Sequence, residues 1–312
     1  MDITFVIPVY NERETIEALA AGIAEHAAPH DYRIVFVDDG STDGSYDVLC
    51  RLRDANPAID VIRLRGNFGK SAALAAGFAR AEGDLVFTMD SDLQDEPKEV
   101  PRFIEKLNEG YDVVCGWKAV RHDPVHKTVP SRIYNGFVAW LFGVPLHDVN
   151  CGFKLMRTEV VKKIQLYGEM HRLVPVLARN LNYRIAEIPV EHHPRRYGKS
   201  KYGIERFTRG AMDVLTMWFL THYRHAPGHF FGMLGVTQKA LGFVLVVVGI
   251  VLWTRAYGSA GAALFAAGLV VAATGVLTVC IGLLAELVLG HFVRMDPALY
   301  VAEENGRTPR AE

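Results

Sequence analysis

Residues 230–253 and 261–285 are two apolar runs joined only by Thr254-Arg-Ala-Tyr-Gly-Ser259, and no feature of this 312-residue chain narrows its folding options more. The first run is broken only by Thr237, Gln238 and Lys239, the second scarcely at all. Each approaches the ~20 residues with which a helix crosses a bilayer, and so short a link permits only a hairpin. A hairpin places both flanks on one side. Basic residues gather there, with Arg206, Arg209, Arg224 and Lys239 before the turn and Arg294, Arg307 and Arg310 after it, against a lone Arg255 at the tip. The positive-inside tendency therefore predicts a multi-pass cytoplasmic-membrane protein with its larger part on the cytoplasmic side. The alternative is a core hairpin of a soluble domain. The N-terminus reads as a strand and not as a signal peptide.

The first two thirds alternate strand and helix about every 25 residues. Ile3-Thr-Phe-Val-Ile-Pro-Val9 reads as a buried strand, and Tyr10-Asn11-Glu12 opens a helix with Ile16, Leu19 and Ile23 at helical spacing. A second strand, Arg33–Val37, runs into Asp38-Asp39-Gly40-Ser41-Thr42-Asp43-Gly44-Ser45. A third, Ile59–Leu64, precedes Gly66-Asn67-Phe68-Gly69-Lys70-Ser71 and another helix. A fourth ends in Leu85-Val-Phe-Thr-Met-Asp-Ser-Asp-Leu-Gln-Asp95, where carboxylates two apart project to one side. Asp90 and Asp92 are thus placed to share a hard cation, or to divide a cation and a sugar hydroxyl between them. Such alternation predicts an α/β fold with a mostly parallel sheet, whose ligands gather at the strands' carboxyl ends. The acidic loop after the second strand suits ribose hydroxyls, a base N–H and phosphates; an Asx turn with a helix cap is the other account.

Several classes drop out. With half the residues apolar and a net charge of −1, the chain has no basic field for nucleic acid. A phosphate loop of the Walker type needs glycine where Leu64 stands, and no Gly-x-Gly-x-x-Gly follows the first strand. Cys50, Cys115, Cys151 and Cys280 are isolated, without metal or redox spacing. His222, His225 and His229 read as polar punctuation at a membrane boundary. Two further segments are amphipathic and suit the headgroup plane. Ile204–Tyr223 carries Phe207, Ala211, Val214, Leu215, Trp218 and Phe219, and Ser131–Val144 carries Tyr134, Phe137, Val138, Leu141 and Phe142 with Arg132 and Asn135 elsewhere.

Ile7-Pro-Val-Tyr-Asn-Glu12, Val37-Asp-Asp-Gly-Ser-Thr-Asp-Gly-Ser45 and Asp90-Ser-Asp-Leu-Gln-Asp95 together resemble the GT-A family 2 glycosyltransferases. Cys151-Gly-Phe-Lys154, Gly168-Glu-Met-His-Arg172 and His193-Pro-Arg-Arg-Tyr-Gly-Lys-Ser-Lys-Tyr202 extend the resemblance to the polyprenyl-phosphate hexose synthases, the dolichol-phosphate-mannose-synthase-like branch. It implies a GT-A catalytic domain over 1–202, an interfacial helix and linker over 203–228, two transmembrane helices over 229–290 and a cytoplasmic tail over 291–312.

The resemblance also implies a reaction, in which a hexose passes with inversion from a nucleotide sugar to a membrane polyprenyl phosphate. UDP-glucose is the first donor to expect and GDP-mannose the next. It implies Mg²⁺ or Mn²⁺ on Asp92 with Asp90 or Gln94, and places Asp90 and Ser91 beside the donor. Pro8, Tyr10 and Glu12 resemble the base-and-ribose wall; Asp39 would meet the imide of uracil or N1–H of guanine, and Lys70 would close the base pocket. Arg195, Arg196, Lys199 and Lys201 resemble a clamp over the diphosphate, with a solvated basic face as the alternative. Arg121 and Arg132 are the candidates for the lipid phosphate, and Glu169 and His171 for sugar hydroxyls, with helix-start capping as the other account. A phosphate acceptor arrives as an anion, so no general base is required. Exposed apolar faces suggest a homo-oligomer, such as a tetramer. A processive polysaccharide synthase would carry Gln-x-x-Arg-Trp, which is absent, and a non-catalytic nucleotide-sugar-binding protein would be expected to have lost a carboxylate or the clamp.

Overall fold

The computed structural model describes residues 2–27, 29–119, 125–191, 193, 205–223, 226–255 and 258–292, the side chains of 125–127, 129–130, 205–211 and 289–292 excepted. It divides into two compact units after Leu215. In the first, strands β1 (Asp2–Val9), β2 (Asp31–Asp38), β3 (Ile59–Arg63), β4 (Leu85–Thr88), β5 (Val113–Trp117), β6 (Lys154–Arg157) and β7 (Ile185–Pro189) form one sheet in the order β3-β2-β1-β4-β6-β5-β7. Only β6 runs antiparallel to its neighbours, β4 and β5. The strands read as unbroken apolar runs because helices cover both faces: Phe5, Val6 and Ile7 are all fully buried, as are Ile34 to Val37. Phe87 of β4 sits at the centre of an aromatic cluster, 5.4 Å from Phe5, 5.0 Å from Phe103 and 5.0 Å from Phe153.

Helices α1 (Ile16–Ala27), α2 (Ser45–Ala55), α3 (Lys70–Arg80), α4 (Val100–Asn108), α5 (Val125–Phe142), α6 (Thr158–Lys163) and α7 (Val174–Asn180) link the strands. Helix α1 begins at Ile16, later than Tyr10-Asn11-Glu12 suggests, because those residues are engaged elsewhere. Asn11 adopts φ 53°, its Oδ1 accepts the Thr42 N–H at 2.8 Å, and the Glu12 N–H donates to Ser45 Oγ at 3.0 Å. The loops after β1 and β2 are thereby laced together. Helix α3 lies close on β1 because Gly77 presents no side chain to Val6.

Both amphipathic segments are helical, and one residue, Asn135, takes a different face from the one expected. On α5 the buried face holds Asn135 and Val138, while Ile133, Phe137 and Trp140 are exposed, the last at 76 %. Asn135 does not belong to the polar outer face, because its Nδ2–H donates to buried Asp148 at 2.9 Å. On α8 (Glu205–Tyr223), Met212 and Leu215 face outward while Val214 and Met217 are buried.

The second unit is built on α9 (Pro227–Thr254) and α10 (Gly258–Phe292), both long and apolar enough to cross a membrane. Glycine recurs every seventh residue on each: Gly228, Gly235, Gly242 and Gly249, then Gly261, Gly268, Gly275 and Gly282. A Cβ on Gly242 would stand 2.6 Å from the Ala272 nitrogen, and one on Gly268 2.7 Å from that of Val246. The seam is backbone against backbone, as small residues at a membrane interface permit.

The loop after β2 makes the sharpest demand on the chain. Gly40 has φ 74°, and a Cβ there would stand 2.6 Å from the Gly66 carbonyl carbon. Gly40→Ala should cost about 2 kcal/mol or more, from strain and overlap together. A thermal-unfolding midpoint of the detergent-solubilised protein lowered by about 5 °C is the expected reading.

Candidate active site

The chain runs outward from β1 through β2 to β3 and then returns to place β4 on the other side of β1, so the topological switch lies between β1 and β4. Ligands of open α/β sheets bind outside the strands' carboxyl ends at such a point. Tyr10 follows β1 there and Asp90 follows β4, while α3 brings Lys70 at its first turn. Lys70 Nζ donates to Asp90 Oδ1 in an ion pair. Desolvation pushes the Asp90 carboxyl up, but Lys70, Lys118 and His171 together outweigh it and hold the group well below the usual carboxylate range. Asp90 is therefore ionised at any working pH.

Further lysines surround this pair, each with a partner. Lys118 Nζ lies 3.0 Å from Asp95 Oδ1, whose side chain is fully buried, and Lys154 Nζ donates to the Cys151 carbonyl. Burial lowers the Lys118 pKa, yet Asp95, Cys151 and Asp90 raise it further, so the ammonium persists. Burial pushes the Cys115 and Cys151 thiols up to about 12, which excludes a thiolate nucleophile. Gly152 packs directly on the Asp90 carboxylate, where a Cβ would stand 2.8 Å from Oδ2. His171 shares a 3.0 Å hydrogen bond with Ser71 through Nδ1, and its own N–H donates to Ser71 Oγ at 3.0 Å. Burial first, then Lys70, Arg172 and Lys154, hold the imidazole well below its ordinary pKa, hence neutral.

The other expected residues take definite places. Asp39 accepts the Phe68 N–H at 2.7 Å on one oxygen and the Gly69 N–H at 2.9 Å on the other, fixing the loop that leads into Lys70. Each oxygen keeps a further lone pair for a ligand. Asp92 and Ser91 are buried, and Asp92 Oδ1 accepts the Gln94 N–H at 3.2 Å. Gln94 Nε2 donates to the His193 carbonyl at 3.1 Å, and the His193 N–H returns a bond to the Gln94 carbonyl at 3.1 Å. Its side-chain carbonyl is the atom suited to a cation. Glu169 pairs with Arg172 at 2.5 Å. Pro8 lies in β1 and Glu12 in the laced loop. Arg132 is exposed on α5. Arg121, Arg195, Arg196, Lys199 and Lys201 lie outside the described residues.

Sequence reasoning missed Lys118, Lys154, Asp95, Ser71 and Arg172 as members of this cluster. Lys118 carried a usable signal, since it follows β5 directly as Asp90 follows β4. Lys154 stood in the Cys151-Gly-Phe-Lys154 motif without a role, because only the antiparallel insertion of β6 beside β4 brings it to the same edge.

Residues 4–165 match the model of the family described as glycosyl transferase family 2. The dodecaprenyl-phosphate galacturonate synthase of Rhizobium johnstonii is 33 % identical, with 95 % of this chain and 90 % of that protein covered. The undecaprenyl-phosphate 4-deoxy-4-formamido-L-arabinose transferase of Edwardsiella ictaluri is 35 % identical over 79 % of this chain and 75 % of its own length. Among solved structures, glucosyl-3-phosphoglycerate synthase of Mycobacterium tuberculosis, in complex with Mn²⁺, UDP-glucose and phosphoglyceric acid, superposes with a TM-score of 0.53 at 21 % identity, covering 70 % of this chain and 79 % of that one. That likeness is one of fold.

A neutral buried histidine has a consequence in acid. Below about pH 6.5 the unfolded chain protonates His171 while the folded chain resists, so stability falls as pH drops through that value and on toward the lower folded pKa. The linkage limit is about 1.4 kcal/mol per pH unit. His171→Gln should therefore narrow the loss of thermal stability between pH 7 and 5, as differential scanning of both proteins would show.

Proposed function

The chain belongs to glycosyl transferase family 2, and on that premise we propose that it transfers a hexose from a nucleotide sugar, UDP-glucose first, to the phosphate of a membrane polyprenol. One observation carries the reading: an ionised Asp90 ringed by Lys70 and Lys118 at the β1–β4 switch point, in a chain that also holds a hairpin of two bilayer-length helices. The Rhizobium johnstonii and Edwardsiella ictaluri relatives are both named for polyprenyl phosphates, and they support that half of the proposal. The positive flanks support a catalytic unit on the cytoplasmic side.

The residues fit a divalent cation of the kind bound by one or two carboxylates plus substrate phosphates. Among the described residues no three His, Cys, Asp or Glu side chains gather into a cage, while buried Asp92 and ionised Asp90 offer hard oxygens at the strand end. Asp92, Asp90 and the Gln94 carbonyl would hold Mg²⁺ or Mn²⁺, which supplies Lewis-acid stabilisation of the departing diphosphate. The chain's own groups do the rest. Pro8, Tyr10 and Asp39 receive the nucleoside, and Lys70 keeps Asp90 charged and oriented. Neutral His171 and Glu169 offer hydrogen bonds to sugar hydroxyls. Arg132, with Arg121, grips the lipid phosphate, and Arg195, Arg196, Lys199 and Lys201 close over the donor. The acceptor oxygen is already anionic, its second pKa lying near ~6, so it attacks C1 directly with inversion and no side chain need remove a proton.

Incubation with labelled UDP-glucose, GDP-mannose or a UDP-uronic acid, a divalent cation and a short polyprenyl phosphate tests the reaction. A lipid-extractable glycosyl phosphate is expected; nucleotide-sugar binding without any such product defeats the proposal.

Two substitutions separate the roles. Asp92→Asn should lower turnover by ~100-fold or more at saturating cation while the fold persists. Arg132→Ala should leave calorimetric affinity for the nucleotide sugar nearly unchanged while the acceptor KM or kcat worsens by ~30-fold, the equivalent of about 2 kcal/mol for a charge-assisted contact. Lost donor affinity with normal acceptor kinetics would remove Arg132 from the lipid-phosphate site.

A further inference from the structure

Helices α9 and α10 are longer than a bilayer requires. At about 1.5 Å per residue, the 28 residues of α9 extend about 42 Å and the 35 of α10 about 52 Å, against a hydrocarbon layer of about 30 Å. The bilayer can therefore sit at more than one height along the pair. A bilayer centred on α9 would leave Lys239 near its midplane, exposed on the helix face, and among the described residues no carboxylate pairs with it. An ammonium in that position is costly.

A second register relieves the ammonium, while carrying the exposed Leu277, Ile281, Leu283, Leu284 and Leu287 of α10 beyond the hydrocarbon layer. Lys239 and Arg255 are sixteen residues apart, about 24 Å along the helix, and each side chain reaches several ångström further toward water, which brings the span close to one hydrocarbon thickness. No charged residue lies between them. The partner helix agrees. A Cβ on Gly275 would stand 2.8 Å from Lys239 Cγ, so the level of Lys239 on α10 is that of Thr274 and Gly275, again sixteen residues from the start of α10 at Gly258. Polar groups collect at this level: Thr237 and Gln238 on α9, and Thr274 and Thr278 on α10, with the Thr278 hydroxyl donating to Gln238 Oε1 at 2.8 Å. The glycine seam holds the two helices in fixed register, so one level serves both.

Building on the membrane reading proposed above, we propose that Lys239 lies in the phosphate headgroup layer of the bilayer, and that residues 227–238 of α9, with the part of α10 packed beside them, stand on the aqueous side of it. Charge complementarity selects the occupant, since a lipid phosphate is the anion that a lone ammonium at the end of an apolar span meets. The ammonium then acts as a depth gauge, fixing where the hairpin stops entering.

Cys280 reports the register. It is exposed on α10, six residues beyond Thr274, hence about 9 Å to the aqueous side of the Lys239 level. A bilayer centred on α9 would instead bury it in hydrocarbon. Cys115 and Cys151 are buried, and Cys50→Ser removes the remaining accessible thiol. A membrane-impermeant maleimide applied to intact and to inverted vesicles should label Cys280 from one face only, at least ~10-fold faster than the thiol of Val270→Cys in a Cys50→Ser, Cys280→Ser background. Lys239→Leu should let the hairpin sink and slow Cys280 labelling by about 10-fold. Cys280 as unreactive as the Val270→Cys thiol, or labelling unchanged by Lys239→Leu, overturns the proposal. Extraction of the protein by alkaline carbonate, with both thiols equally reactive, would instead defeat the membrane reading itself.

Discussion

The ion pair between Lys70 and Asp90 joins the start of α3 to the end of β4 across the end of β1, and the arrangement of the candidate site depends on it. Neither partner is placed independently. Lys70 is aimed by a loop whose Phe68 and Gly69 amides are both held by Asp39, and that loop reaches Asp39 only because Gly40 lets β2's exit pass against Gly66. Asp90 is confined from the other side by Gly152, whose carbonyl accepts the Thr88 hydroxyl at 2.8 Å. Backbone and carboxylate thus set the geometry before any ligand arrives, and such preorganisation lets fixed charges act on a transition state without reorganising.

Much of this was legible from the residues alone, for physical reasons. Strands buried on both faces are nearly uninterrupted apolar runs, so β1, β2 and β4 and their polar exits could be read directly. The acidic and glycine-bearing loops follow those strands in sequence, and Asp39, Lys70, Asp90 and Asp92 reach one edge as expected. Long-range pairing was not legible. Asn135 looks like surface on a helical wheel, because nothing local announces that Asp148 waits for it in the core. Lys154 enters the site through an antiparallel strand slipped between β4 and β5, a topology that alternation of elements does not specify. Glu169 carries a local partner, Arg172, three residues on, and that pairing was open to inspection at i,i+3 spacing.

The two units obey different rules, and each rule leaves its mark on where glycine is spent. In the first unit glycine answers local geometry: a positive φ at Gly40, room for Val6 at Gly77, contact with a carboxylate at Gly152. In the helix pair it answers a period, every seventh residue on both strands of the seam, with helical φ throughout. In lipid the apolar side chains gain little by leaving their surroundings for one another, so close backbone packing has to supply the association that burial supplies in water.

That difference bears on how a phosphate acceptor meets a nucleotide sugar. In the proposed reaction the donor meets charges fixed at the strands' carboxyl edge, whereas the acceptor's phosphate is tethered to a chain that stays in the bilayer. The proposed reaction needs the lipid phosphate to rise to the strands' carboxyl edge or the protein to come down to it. The outward stripe of Ile133, Phe137 and Trp140 on α5, which also bears Arg132, supplies an apolar face suited to the headgroup region and a charge suited to the phosphate on one element. Buried Asn135 ties that helix through Asp148 to the loop leading to Gly152, the glycine that packs on Asp90.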